Sequence, residues 1–279
     1  MADIGTSLLS TLPAVLVVPA VRQRFRTIQR RTYHSDRGNA FYWGSNDEAQ
    51  GESMDIIANS YIQKALDISC GTGIDFSAEF PSCEIPPNLN EIDDCTQEWT
   101  FTLDLYNYVH IRYLVDTILN WTELFKQAYK TLRSSSYLES FEASPTIKSN
   151  NNTVTPESAV GQWDQIFIEG SKTTSRTFTV IANNLQRKAM EEAGFVDIEK
   201  WNFKCPLSPW PKDPKLKEMG QFGQLFATQD TAGLLTFVAS ILGWSHERFY
   251  MYISQFRREI RDRRNHSYFC IRVLWGRKP

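Results

Sequence analysis

One short stretch carries most of the chemistry that this chain could perform. Ala65-Leu66-Asp67-Ile68-Ser69 reads as a short apolar strand, Cys70-Gly71-Thr72-Gly73 follows it at once, and a helix-like segment runs on to Phe80. A glycine turn between a strand and a helix lets backbone N–H groups and the positive helix end approach a ligand, because no side chain obstructs them. Asp67 sharpens the signal, since a carboxylate at a strand end can order the loop and contact an ammonium group. The combination favours a cofactor that bears an amino acid over a dinucleotide, whose fingerprint is GxGxxG. A plain solvated carboxylate is the competing reading of Asp67. His110, near the end of a second strand-like segment, is a candidate general base for an acceptor hydroxyl. A structural histidine at a strand end fits it as well. His34 and His266 read as lid or strand residues, and His246 stands beside a helix-capping Ser245.

The elements that position these residues alternate. A strand over Tyr106 to Ile111 precedes an amphipathic helix from Val115 to Leu132, and a third strand covers Tyr137 to Phe141. Strands alternating with helices predict an α/β, doubly wound parallel sheet covered on both faces. Residues 143–161, rich in Ser, Thr and Asn with two prolines, read as a surface loop. The helix Thr179 to Ala193 closes on Gly194, and a strand follows from Phe195 to Phe203. Cys205 to Pro211 reads as an extended turn, because three prolines fix its backbone and remove donors. Two helices, Leu216 to Phe237 and Ser245 to Arg263, lead to a last strand, Ser267 to Trp275. Residues 1–32 form an arm, and residues 33–60 read as a lid on the main body.

Composition narrows the function. With 279 residues, 42% of them hydrophobic, and a formal charge of -2, the chain fits one large globular domain. The charge balance argues against a nucleic-acid binder, which needs a basic surface to neutralise phosphates. No apolar run reaches the roughly 20 residues of a membrane span. The nearest, Leu8 to Val21, is broken by Pro13 and Pro19 and is followed, not preceded, by arginines, which disfavours secretion. An organellar presequence or a membrane-surface segment is the alternative reading of that arm, and a cytoplasmic protein the main one. The five cysteines have no zinc-ligand spacing and read as reduced thiols, so no metal site is expected. The run Arg257, Arg258, Arg261, Arg263, Arg264, interrupted by Glu259 and Asp262, reads as a solvated helix face with internal ion pairs. Trp43, Trp99, Trp163, Trp210 and Trp244 suit an apolar pocket or simply a sheet core.

Several blocks in order resemble the class I S-adenosylmethionine-dependent methyltransferases of the fungal LaeA-like family. They are Leu66 to Gly73; Glu91-Ile92-Asp93-Asp94-Cys95 with Glu98-Trp99-Thr100-Phe101; Val109-His110-Ile111-Arg112-Tyr113-Leu114; Tyr137-Leu138-Glu139; Lys204-Cys205-Pro206-Leu207 with Trp210-Pro211; and Leu242-Gly243-Trp244-Ser245. The resemblance runs from about Tyr33 to the end. It implies a Rossmann-like, seven-stranded sheet with S-adenosylmethionine across the strand carboxyl ends, and a single domain over 33–279. A helical cap inserted before the last strand, about 213–264, would cover a small-molecule acceptor that is apolar or aromatic. Asp67 and Gly71 to Gly73, in a bend that includes Ser69, Cys70 and Thr72, would hold the amino-acid moiety. Asp94, or else Asp93, beside Cys95, would meet the adenine amine, and His110 and Arg112 would lie near cofactor and acceptor. Methylation in fungal secondary metabolism is the implied activity.

The chain departs from that family pattern in several places, among them two residues fewer between Gly73 and the following helix and a shortened helix before Lys64. Ser69 replaces a glycine, Ser134-Ser135-Ser136 replaces paired glycines, and Pro81-Ser82-Cys83-Glu84 runs straight into Ile85-Pro86-Pro87-Asn88 without a ribose-gripping strand. The departures keep two other readings open: a methyltransferase fold that catalyses a cyclisation or pericyclic step, and a LaeA-like regulatory partner of another protein.

Overall fold

The computed structural model describes residues 95–174 and 176–279, together with the backbone of the strand residues 26–28, 31–33 and 66–68. β1 (Arg26–Ile28) and β2 (Arg31–Tyr33) form an antiparallel pair of their own. β3 (Leu66–Ile68), β4 (Tyr106–Arg112) and β5 (Leu132–Ser149) run parallel, and β6 (Val196–Pro206) and β7 (Ser267–Arg277) complete the sheet in the order β3-β4-β5-β7-β6. β7 is antiparallel to both of its neighbours, so the sheet is mixed and not wholly parallel as expected. The chain leaves β6 through three helices and returns as β7 between β5 and β6. This is a mixed, Rossmann-like α/β sheet with a helical insertion before its last strand.

Strand alternation divides the sheet. Val109 and Ile111 of β4, Leu138 of β5 and Leu274 of β7 face one side and have no exposed surface. Helix α1 (Trp121–Thr131) covers them with Trp121, Leu124, Phe125 and Ala128, a helical stripe. The Asn120 side chain caps its start by accepting from the Glu123 N–H at 3.1 Å. The helix begins later than the expected Val115, because residues 113–117 form a buried turn in which Tyr113 and Asp116 have φ of 53° and 59°. α2 (Trp163–Ser171) packs Phe167 on Phe178, and α3 (Leu185–Ala193) adds Met190 to the same core. α3 ends on Gly194, with φ of 97°, as expected. It starts at Leu185 and not Thr179. The hydroxyls of Thr177 and Thr179 bond each other at 2.6 Å and Asn183 donates to Thr179, local bonds that compete with a helix.

β5 corrects another expectation. Residues 143–149, taken from their composition as loop, continue the strand and pair with β7 out to Ser149 opposite Ser267. The ladder is irregular between Ala143 and Ile147, around Pro145, which has no N–H to give it. The insertion comprises α4 (Pro214–Gln229), α5 (Thr231–Ile241) and α6 (His246–Arg261). The single helix expected over 216–237 is divided at Asp230, whose carboxylate caps α5 by accepting from the Gly233 N–H at 2.9 Å. α4 rests on the end of β6 through two glycines three residues apart. A Cβ at Gly220 would come within 2.3 Å of the Ser208 carbonyl oxygen, and one at Gly223 within 2.2 Å of that of Pro206. Ser245 caps α6, as expected, by accepting from the Arg248 N–H. No helix among the described residues is long and apolar enough to cross a membrane.

Candidate cofactor and acceptor site

β3 and β4 end together, at Ile68 and Arg112, while the parallel β5 runs on beside them to Ser149, and the register of the three strands sets up a row. Asp67 pairs with His110, and His110 pairs with Glu139. Residues directly opposite on neighbouring strands share a face, so His110 stands in a row between two acidic positions. Its Nδ1 lies 3.1 Å from a Glu139 carboxylate oxygen. The His110 side chain is 9% exposed and is boxed by Tyr108, stacked at 6.3 Å and 25°, and by Phe141 at 6.4 Å. Phe141 continues through Phe203 to the exposed Trp201, so aromatic rings cross the sheet on this face from β4 to β6.

Of the residues assigned to cofactor from sequence, Asp67 is placed in β3 by its backbone pairing. Ser69, Cys70, Gly71, Thr72, Gly73, Asp93 and Asp94 lie outside the described residues. Cys95 is buried, and its carbonyl oxygen accepts from the Trp99 indole N–H at 2.9 Å. The Trp99 backbone in turn donates to Gln127 of α1 at 2.6 Å, so Cys95 is fastened to the helix that covers the closed face. Arg112 is the last residue of β4 and is buried.

Two buried acids were not singled out in the sequence. Glu142, with no exposed surface, accepts from the N–H groups of Leu114 at 2.9 Å and Val115 at 3.1 Å, and so pins the turn that leaves β4. Burial pushes its carboxyl up to about 8, against the two N–H bonds, which favour the charged form. Asp116 sits in the same turn, and its N–H donates to the Thr177 carbonyl oxygen at 3.1 Å. Burial raises its carboxyl to about 7, opposed by the charge of Arg176, and its Oδ1 is buried without a hydrogen-bond partner. The available signal was an acid set among apolar neighbours, as in Leu114-Val115-Asp116-Thr117-Ile118.

The other histidines have structural company. His266 stacks on Trp210 at 4.9 Å and 12°, and His246 packs on Tyr250. A groove of 530 Å³ runs along α6 past His246, Tyr250, Met251 and Arg258, none of which belongs to the row at the sheet edge. The basic run is only in part the ion-paired face expected. Arg264 pairs with Asp262 at 2.7 Å, but Arg257 donates to the Thr231 hydroxyl, and Glu259 accepts from the backbone N–H groups of Ala159 and Val160. Glu259 therefore ties α6 to the loop before α2.

No protein-family model matches the chain. The methyltransferase pytC of Aspergillus terreus is 29% identical to it over 91% of this chain and 90% of that protein. The secondary metabolism regulator LAE1 of Cochliobolus heterostrophus is 26% identical over 95% of this chain and 98% of that protein. The likeness is to fungal methyltransferases and LaeA-like regulators. Among solved structures, phosphoethanolamine N-methyltransferase 2 of Haemonchus contortus, in complex with S-adenosyl-L-methionine, has a TM-score of 0.43 and 14% identity, over 82% of this chain and 52% of that one. The likenesses to pytC and LAE1 both extend over more than nine-tenths of this chain.

Proposed function

We propose that the protein is an S-adenosylmethionine-dependent methyltransferase that acts on a small apolar or aromatic acceptor in fungal secondary metabolism. The observation that carries this reading is the register of Asp67, His110 and Glu139 across three parallel strands, next to the carboxyl ends of β3 and β4. Ligands of open α/β sheets bind outside the carboxyl ends of the strands. An acid on β3 at that edge fits a cofactor with an ammonium group.

Asp67 and Gly71 to Gly73, with Ser69, Cys70 and Thr72 in the same bend, take the amino-acid moiety. Asp94, or else Asp93, next to Cys95, takes the adenine amine, and Arg112 closes the cofactor side of the acceptor pocket. The cofactor supplies a methyl group on a positively charged sulfur that leaves as a neutral thioether, so the protein has mainly to align the nucleophile. His110 accepts the proton of an acceptor hydroxyl, and the rings of Phe141, Phe203 and Trp201 offer it a flat apolar wall. The insertion, about 213–264, caps that pocket within one domain of residues 33–279, and residues 1–32 form an arm. A LaeA-like regulatory role through a protein partner is the second reading, supported by the relatives named as regulators.

Calorimetry with S-adenosylmethionine and S-adenosylhomocysteine tests the first reading. Asp67→Ala should weaken binding by about tenfold or more, the size of one charge-assisted hydrogen bond. No heat from the unaltered protein at millimolar ligand would sink the proposal.

A further inference from the structure

We infer that Glu139 is a positioning residue, whose carboxylate keeps the proton of neutral His110 on Nδ1 and leaves Nε2 as the proton acceptor toward an acceptor group with an ionisable O–H. The inference rests on the methyltransferase reading for the identity of the acceptor, but its structural content stands on the pair itself.

A neutral imidazole carries one proton, and its placement is set by what the other nitrogen meets. Here Nδ1 is 3.1 Å from the Glu139 carboxylate, which favours the proton on that nitrogen electrostatically. The ring has little freedom to turn away. Tyr108 stacks against it, Phe141 bounds it, and the β4 and β5 backbones are paired at this position, His110 opposite Glu139. Glu139 keeps 26% of its side-chain surface, so the carboxylate stays in contact with solvent. The pair has the form of an oriented base: one nitrogen anchored by an acid, the other left to react. When Nε2 takes a proton from an acceptor hydroxyl, the imidazolium formed already has its counter-ion in place, so no charged group has to move. An acceptor whose nucleophile is a carbon without an acidic proton would gain nothing from this arrangement. The pair therefore points to hydroxyl-bearing acceptors, phenols among them.

The test is two-bond proton–nitrogen correlation of the labelled histidine rings of the full chain, recorded for the neutral imidazole, with His110→Asn to assign the signal. The expected spectrum shows His110 with Nδ1 protonated and Nε2 in the unprotonated range, and Glu139→Gln shifts the population toward the tautomer with the proton on Nε2. A His110 ring already protonated on Nε2, or a spectrum unchanged by Glu139→Gln, would overturn the inference. A purely structural ion pair predicts a loss of stability in Glu139→Gln with no change of tautomer, which the same spectra and a thermal melt separate. Calorimetry with S-adenosylhomocysteine keeps the two proposals apart: Glu139→Gln should bind it within about twofold of the unaltered protein. If the unaltered protein binds none while the tautomer is as expected, the function fails and the positioning role of Glu139 survives.

Discussion

The two faces of the sheet are made by the same strands and differ in almost every respect. On one, Val109, Ile111, Leu138 and Leu274 lie wholly buried against α1 and α3. On the other, the same strands present Tyr108, His110, Glu139 and Phe141, and β6 adds Trp201 at 59% exposure. Alternation along a strand lets a single segment serve stability and chemistry at once. Residues one apart in β4 thus belong to different problems: Ile111 is fixed by packing, and His110 faces the Glu139 carboxylate.

Mutation should read this division directly. Leu138→Ala, on the closed face, is expected to cost about 2–5 kcal/mol in chemical denaturation, the usual range for a large-to-small change in a packed core. A cost below about 1 kcal/mol would mean that the closed face is not the structural one.

Glu142 stands on the closed-face side of β5, yet holds the turn that leads from the site, and its effect depends on pH. Below about pH 4.5 the carboxyl is neutral in both the folded and unfolded chain. From there to about pH 8, the unfolded chain has released the proton while the folded chain keeps it, so rising pH removes stability. Asp116, raised from 3.8 to about 7, acts in the same direction. The unaltered protein should therefore lose stability relative to Glu142→Gln as pH rises through this window, by at most about 1.4 kcal/mol per pH unit, and level off above it. Thermal melts of the two proteins across the window give the sign. The smallest effect is expected for Trp201→Ala, below about 1 kcal/mol, because its ring is mostly in water already.

Much of this division was legible from the residues. Tyr106 to Ile111 reads as a strand, and Gly194 and Ser245 mark helix ends by their chemistry. What escaped has physical reasons. β5 runs on through Ser144-Pro145-Thr146 because β7 supplies a long ladder on one side, a tertiary pairing that local composition does not record. The antiparallel placement of β7 is likewise a property of the whole sheet. Ser135, where the resemblance calls for glycine, has φ of 64°, and its N–H donates to the Lys278 carbonyl oxygen at 2.9 Å. The backbone demand is thus kept without the residue that meets it most cheaply. Glu139 was visible only as part of a family block. Its role depends on a cross-strand register that the sequence alone does not specify.

Hydrogen exchange with and without S-adenosylhomocysteine tests most directly whether the carboxyl edge of β3 and β4 is where this protein works. The account predicts added protection concentrated in residues 66–73 and 110–117, with little change at the opposite end of β4 near Tyr106. Protection confined to the groove along α6, or spread evenly over both ends of the sheet, would contradict it.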